Sequence, residues 1–546
     1  MQVSDEVYHR AICARDHHFD GQFVRASRRL KIYCRPTCAT PAPKPENCLF
    51  FEDAATAQAS GYRPCRRCRP DALPTAPRWS GTISTIARAL RLIAAGALDD
   101  KAVDELASRV GITDRHLRRL FKQHLGCSPV SIAIARRLAV ARKMIEGSNQ
   151  RLISIAYEAG FSSVRRFNDA FRKAYQQNPS VIRSTPARQR TNLASEIYRL
   201  RLGYQPPFDW PLVRHSLLAR SLPSIEYVAE DLYQRAVEVG GKTGLVTLRF
   251  PQTRPYVEAT ISQIDIADLP VIVSSIRNML DLDADPIAIG RHFANRPELC
   301  EQIKRHGGVR VPGWWDNFEY VLRAILAEHL GVQWRSALRS LIKLSSKELT
   351  LKDPGIFVSN SFPNMETLAA SANLMATIGI PDDAIRSIAS IARCVSNGKL
   401  SLSRTQSSSI FQRDLMAIPG MNSSLARDIA QNVLEYADTL SVADVQRLNR
   451  MLITSTAGTS TTALAVSDQW RPWRAYAAAL FREERSNICI SSIVTTMPVQ
   501  LAAGTAPITL DIGDDKLEEP SMTISTLPTS SEPEPEKSKP LIGKLR

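Results

Sequence analysis

The chain has 546 residues, 44% of them hydrophobic and 23% charged, with a formal net charge of +16. That length is too great for one core and predicts three or four domains, while no window of about twenty residues is apolar enough to cross a membrane. The charge is uneven: residues 1–190 carry 33 Lys and Arg against 16 Asp and Glu, a balance of +17, which leaves the remainder at −1. A basic half on a near-neutral half is built to meet a polyanion, and double-stranded nucleic acid fits better than a membrane because no basic amphipathic helix with a clean apolar face stands out. Met1 to Asp20 mixes acids, bases and histidines without an apolar h-region, which speaks against a secretory signal and for a cytoplasmic chain with reduced thiols.

Residues 1–72 hold two cysteine pairs, Cys34-Arg35-Pro36-Thr37-Cys38 and Cys65-Arg66-Arg67-Cys68. Cys-x-x-Cys lets two sulfurs reach one ion from a tight turn, and a pair four apart does so from a short loop. Four thiolates around one Zn²⁺ is the economical reading, with Cys34, Cys38, Cys65 and Cys68 as ligands. Cys13, Cys48, Cys127, Cys300, Cys394 and Cys489 show no paired spacing. Around the pairs, β-formers and aromatics such as Phe19, Phe23, Val24, Ile32, Tyr33, Phe50 and Phe51 predict a small sheet. A helix is expected over 52–60, with Gly61 ending it. This α/β unit has too little core to stand alone, and a structural metal would supply what it lacks. On spacing, a closed structural site and a reactive one both remain open. Zinc keeps sulfur deprotonated, so an exposed ligand could still act as a nucleophile toward a small electrophile.

Residues 73–81 read as a linker, and 82–190 as helical. Two segments there share one plan: a helix with a small inward residue (Ala107, Ala156), a glycine corner (Gly111, Gly160), then a basic helix. Thr113 and Ser162 are placed to cap the second helices. This is a helix-turn-helix, twice. Positions 117, 120 and 121, then 164, 167 and 171, should face the core. Arg115, His116, Arg118 and Arg119, then Ser163, Arg165, Arg166 and Asn168, should be left outside, where such residue types read base edges and phosphates. The plain alternative is a pair of helical hairpins with solvated basic faces. Residues 197–295 show period-2 runs (Val246 to Phe250, Tyr256 to Ile261) and predict an α+β domain with a sheet. Residues 300–482 return to helices, and 485–546 mix Ser, Thr, Pro and acids as an expected disordered tail.

The motifs Phe19-Asp20-Gly21, Ile32 to Cys38, Pro45-Glu46-Asn47 and Gly61 to Pro70 closely resemble the N-terminal domain of the Ada family of bacterial alkylation-response proteins. Residues 82–184 resemble the AraC-type double helix-turn-helix that accompanies it. The resemblance implies one zinc ion on the four cysteines, with Cys34 as the irreversible acceptor of a methyl group from a methylphosphotriester in DNA. It implies a methylation-triggered transcriptional activator of promoter sites, which makes RNA polymerase a candidate partner and the bacterial nucleoid the expected location. A Pro-Cys-His-Arg site for O6-alkylguanine is absent, because Pro64-Cys65-Arg66-Arg67 belongs to the zinc site. Base-methyl acceptance is therefore not expected.

Residues 197–482 resemble the 3-methyladenine glycosylase AlkA, through Phe208-Asp209-Trp210, Gly308 to Glu319, Ile418-Pro419-Gly420-Met421 and Trp470 to Tyr476. The resemblance implies a helix-hairpin-helix whose Gly420 lets backbone amides approach a DNA phosphate. It also implies a carboxylate beyond the hairpin that stabilises the departing sugar, which falls at Asp444. Four departures weigh against base excision. Asn422 replaces a hairpin glycine, Ser423-Ser424 replaces Pro-Trp, Asp428 replaces an aromatic, and a late aromatic falls at Phe481 or Arg482. The expected fold is thus multidomain and mainly α: a zinc-bound α/β module (1–72), an all-α double helix-turn-helix (82–190), an α+β sheet domain (197–295) and an all-α helix-hairpin-helix domain (300–482).

Overall fold

The computed structural model describes residues 4–71, 81–99, 102–148, 150–184, 197–251, 253–351, 355–402, 408–434, 436–440, 444–448 and 466–481. The linker as far as residue 80 and the expected tail lie outside them. The first module opens with helix α1 (Asp5–Ala14) and builds a four-stranded sheet from β1 (Val24–Ser27), β2 (Ile32–Cys34), β3 (Cys48–Phe51) and β4 (Arg63–Pro64), in the order β3-β1-β2-β4. β1 runs antiparallel to both neighbours, and β4 joins β2 in parallel with Tyr33 opposite Pro64. That one parallel pairing brings the second cysteine pair beside the first. Helix α2 (Ala54–Ala59) returns the chain between β3 and β4, capped by Asp53, which accepts from Thr56 N at 2.7 Å. It is shorter than the expected 52–60, and Gly61 closes its end at φ +83°, a conformation that suits glycine. Two small clusters fill the module, one on Ile12, Phe19 and Phe23, the other on Val24, Tyr33 and Tyr62.

Seven helices follow: α3 (Gly81–Ala94), α4 (Val103–Val110), α5 (Asp114–Leu125), α6 (Pro129–Gly147), α7 (Leu152–Glu158), α8 (Val164–Tyr175) and α9 (Pro179–Ser184). The two corners are Gly111 at φ +81° and Gly160 at φ +88°. Leu117, Leu120 and Phe121 on α5, and Phe167 and Phe171 on α8, are buried, while Val164 is half-buried. Thr113 caps α5 through His116 N at 3.3 Å. The cap of α8 is Ser163, accepting from Arg166 N at 3.2 Å, and not Ser162 as the sequence suggested. The helix begins one residue later than the pattern implies, so Ser162 falls outside and is exposed.

A second sheet is antiparallel throughout, in the order β5-β9-β8-β7-β6: β5 (Ile197–Gly203), β6 (Glu226–Val228), β7 (Leu232–Val239), β8 (Lys242–Arg249) and β9 (Tyr256–Ser262). The period-2 runs are β8 and β9. The helix Leu269–Leu280 covers one face with Ile272, Val273 and Ile276. This core is shared: Ile86, Leu90, Leu117 and Phe121 of the first helix-turn-helix lie in the same cluster as Tyr233, Val246 and Ile261 of the sheet. The approach is so close at Gly126 that a Cβ there would run into the backbone of Arg201. The second helix-turn-helix packs its own core on Leu138, Ile145, Ile155, Phe167 and Phe171.

The helix Asn317–Leu330 lies at the centre of the last region, packed against Asp382–Ser396 and Ser423–Leu434 around Leu322, Ile325, Ile388 and Ile429. A buried ionic network fastens it to the sheet. Arg235 on β7 bridges Glu226 at 2.8 Å and Glu319 at 2.5 Å, and Arg323 also holds Glu319. Removing one partner would strand a buried charge, at a cost of about 3–5 kcal/mol. The helix Arg474–Leu480 closes a further cluster with Trp470, Trp473 and Tyr476. All these modules fall within one compact unit, Met1–Ile488.

Candidate functional site

The sulfurs of Cys34, Cys38, Cys65 and Cys68 all lie within 4.8 Å of one another. Cys34 ends β2, and the next residue past β4 is Cys65, whose amide donates to Tyr33 O at 2.9 Å. Tetrahedral zinc–thiolate bonds of about 2.3 Å put sulfurs about 3.8 Å apart, so this donor set fits one Zn²⁺ with little adjustment. Among the sulfurs alone, the hydrogen bond with Cys38 pushes the Cys34 thiol up to about 12. Crowded sulfurs cannot all ionise side by side, and a cation among the four would favour the thiolate form of each.

Cys34, Cys38 and Cys65 are buried, Cys34 at 7% exposure, and Cys68 is half-buried. Arg35 N donates to Cys68 Sγ at 3.4 Å. Thr40 stands 3.3 Å from Cys38 Sγ and 3.9 Å from Cys34 Sγ, and Arg25 holds it through Nη2 at 2.8 Å. Sequence reasoning passed over Thr40 and Arg25. Thr40 could have been found as the hydroxyl two residues past a ligand, where such groups commonly support metal-bound sulfur. Arg25 had no local signal, because the sheet carries it there.

Arg115, Arg118 and Arg119 on α5 and Arg165 and Arg166 on α8 are exposed; His116, Ser163 and Asn168 are half-buried. Arg118 is engaged by Asp114 at 2.8 Å one turn earlier, and His116 Nδ1 lies 3.3 Å from Arg119 Nη2. The remaining face is cationic on both helices, with the caps Thr113 and Ser163 at their N-terminal ends. Such ends, with their free amides, suit phosphate.

In the hairpin between the helices Ser408–Met416 and Ser423–Leu434, Gly420 adopts φ +81°. A Cβ there would strike Ser387 Oγ and the Asp383 carbonyl, so only glycine fits. The departures from the family pattern have structural uses of their own. Asn422 caps the second helix, accepting from Leu425 N at 2.8 Å, and donates to Glu328 at 2.7 Å. Asp428 accepts from Tyr320 OH at 2.6 Å. Asp444 is 3% exposed, within the helical residues 444–448, and Arg447 Nη1 stands 3.3 Å from it. Arg482 lies outside the described residues, while Phe481 packs 6.1 Å from Trp470. A second carboxylate that sequence reasoning missed, Asp438, is held by Arg471 at 2.8 Å and Arg474 at 3.2 Å.

Three family profiles match the chain in turn. The family profile described as the metal binding domain of Ada matches residues 7–71, a helix-turn-helix domain profile matches 106–185, and the AlkA N-terminal domain profile matches 199–316. A Mycobacterium tuberculosis protein named probable bifunctional transcriptional activator/DNA repair enzyme AlkA is 32% identical over 482 residues, spanning 87% of this chain and 96% of the relative. The Escherichia coli bifunctional transcriptional activator/DNA repair enzyme Ada is 33% identical over 29% of this chain and 43% of its own length. DNA-3-methyladenine glycosylase 2 of E. coli is 26% identical over 50% of this chain and 94% of its own length.

Proposed function

The chain belongs to the family of bifunctional transcriptional activators and DNA repair enzymes that its mycobacterial relative represents, and from that premise we propose that Cys34 accepts a methyl group from methylphosphotriesters in DNA and so switches the activator. The observation that carries this reading is the convergence of four cysteine sulfurs within 4.8 Å in the half of the chain that holds the positive charge. Zinc bound by Cys34, Cys38, Cys65 and Cys68 would keep the sulfurs deprotonated at neutral pH. The Cys34 sulfur attacks the methyl carbon. An S–C bond forms, the C–O bond breaks, and its electron pair leaves on the phosphate oxygen as a phosphodiester anion. The buried Cys34 needs the phosphotriester brought into a recess, and the basic surroundings draw the strand there. Methylation removes one negative charge from the sulfur cluster, which lowers its repulsion from the DNA backbone. The exposed arginines of α5 and α8 would then read promoter DNA, and contact with RNA polymerase would complete activation.

The test is to incubate the full chain with methylated DNA and map the mass gain by peptide, alongside zinc quantification. The expected result is one methyl on the Cys34 peptide and none on Cys34→Ser. An unmodified Cys34 in zinc-loaded wild type would leave only a zinc-stabilised regulator.

Base excision by Asp444 is the second reading, and the burial of that carboxylate favours it, since a low-dielectric site strengthens its attraction to an oxocarbenium-like sugar. Gly420 and the amides that start the helix Ser423–Leu434 would grip a phosphate nearby. The expected outcome is release of 3-methyladenine, lost in Asp444→Asn with the fold retained. No release by wild type would make the repair half a DNA-docking module.

A further inference from the structure

The two halves of the chain meet through a set of buried polar contacts for which the cysteine chemistry has no use. Asp16 and His18 sit on the turn that follows α1. Trp473 Nε1 donates to Asp16 Oδ2 at 2.8 Å. The other oxygen, Oδ1, lies 2.6 Å from His18 Nδ1. The far nitrogen of that imidazole, Nε2, stands 3.3 Å from Asp281 Oδ1. Asp281 Oδ2 in turn accepts from Tyr476 OH at 2.7 Å and from Val311 N at 3.0 Å. None of these side chains is more than 7% exposed. From the same turn, Gln22 Nε2 donates to Leu434 O at 2.6 Å, at the last residue of the hairpin's second helix.

We propose that the turn 16–22 is an intramolecular latch, by which the metal-binding module docks on the repair half and restrains Leu434 and the turn 436–440 that precede Asp444 in sequence. Three features distinguish this from ordinary core packing. First, the contact is polar. The imidazole and both carboxylates can take water when the contact opens, so opening strands no unpaired group. Interfaces of that character form and separate within a chain more readily than hydrophobic ones. Second, docking sets Trp473 Nε1 on a buried carboxylate that its own turn keeps ionised, while burial raises Asp281 across the contact. Burial alone would push the Asp16 carboxyl up, but the His18 charge and its hydrogen bonds outweigh this and hold it at about 2. Third, the latch closes on both ends of one stretch of the repair half. Leu434 is gripped by Gln22, and Asp438 is tied by Arg471 and Arg474 on either side of Trp473, the residue that holds Asp16. Leu434 and Asp438, which precede Asp444 in sequence, are thus held by the module that carries Cys34 on one side and by two arginines of their own half on the other.

The latch itself rests on these contacts alone; its effect on base excision rests also on the role proposed for Asp444. It would make the placing of the cysteine module on a phosphotriester and the freedom of the repair site a single event, because the module cannot leave the turn's partners without releasing Leu434 and Trp473.

The test is hydrogen–deuterium exchange, read by peptide, on the zinc-loaded full chain and on His18→Gln, Gln22→Ala and Trp473→Phe. In His18→Gln, exchange over 434–440 and 473–481 should quicken by about tenfold or more, as expected when a local restraint of modest size is lost. Zinc content and exchange in β1 to β3 should stay at wild-type values. Trp473→Phe, which removes the N–H from the opposite side, should quicken exchange of 16–22 in the same way. Unchanged exchange in these variants would overturn the proposal. So would loss of zinc or quickened exchange throughout the cysteine module in His18→Gln, since His18 would then serve its own module's fold. The readout needs no base excision, so a repair half without activity leaves the latch still testable.

Discussion

His292 packs edge-on against Trp473, with ring centres 5.4 Å apart. Burial, and then the charges of Arg10 and Arg296, push its imidazole down to about 4. A histidine held neutral in the native state contributes stability that is complete above its ordinary value near 6.5. That contribution is lost as pH falls through the interval from 6.5 to 4, because the unfolded chain takes up the proton first. We expect urea denaturation at stepped pH to show a loss of no more than about 2 kcal/mol over that interval, allowing for the ring's partial exposure. His292→Phe, which keeps the edge-on packing, should flatten the profile; an identical slope in the variant would place the titrating group elsewhere. The environment of His292 was not readable in the sequence, since Arg10 lies far from it along the chain. The four zinc cysteines were readable because metal ligands leave a spacing signature. Thr40, two residues beyond a ligand, was within reach of the same reasoning.

The helix-turn-helix elements show where pattern reading succeeds and where it slips. A duplicated apolar period with a glycine at each corner located α4–α5 and α7–α8, because burial of one helix face and positive φ at the corner constrain residue types strongly. The cap of α8 was misplaced by one residue. Two serines stand in a row there, and only the helix's first turn decides which of them accepts an amide. This gives a sharp expectation. Ser163→Ala should cost about 1 kcal/mol and weaken operator binding through a frayed α8, while Ser162→Ala should leave stability unchanged within about 0.5 kcal/mol. Thermal unfolding of both variants decides it, and equal losses would mean that Ser162 shares the cap. At the hairpin the sequence signalled losses at Asn422 and Asp428, but not what those residues do instead. Asn422 caps the helix that the missing glycine would have opened, and Asp428 takes the hydroxyl of Tyr320. The cap is local, but Tyr320, and Glu328 to which Asn422 donates, belong to a neighbouring helix, Asn317–Leu330, that local pattern does not place.

For the whole molecule, the charge division was visible before any fold, and it sets the expected response to salt. DNA binding by the full chain should fall by about a thousandfold between 50 and 200 mM salt if the basic half makes the usual number of phosphate contacts. Binding measured across that range checks it, and a nearly flat dependence would mean that the positive charge faces something other than the backbone. What composition could not reveal is how the halves are joined. Asp16 and Trp473 are 457 positions apart, and no periodicity links them. Nor did it show that the two helix-turn-helix units differ in their footing. The first shares its core with the sheet, down to the backbone approach of Gly126 and Arg201, whereas the second has a separate core at the far end of α6, which the sheet touches through Ile197. The pair therefore works as a caliper with one jaw seated on the sheet. α5 stands on the core it shares with the sheet, and α8 stands on α6 and α7. On the reading proposed above, the jaw seated on the sheet would set the rotational phase of everything else on the duplex, so the part of a promoter read by α5 would also decide which face of the DNA the repair half is turned toward.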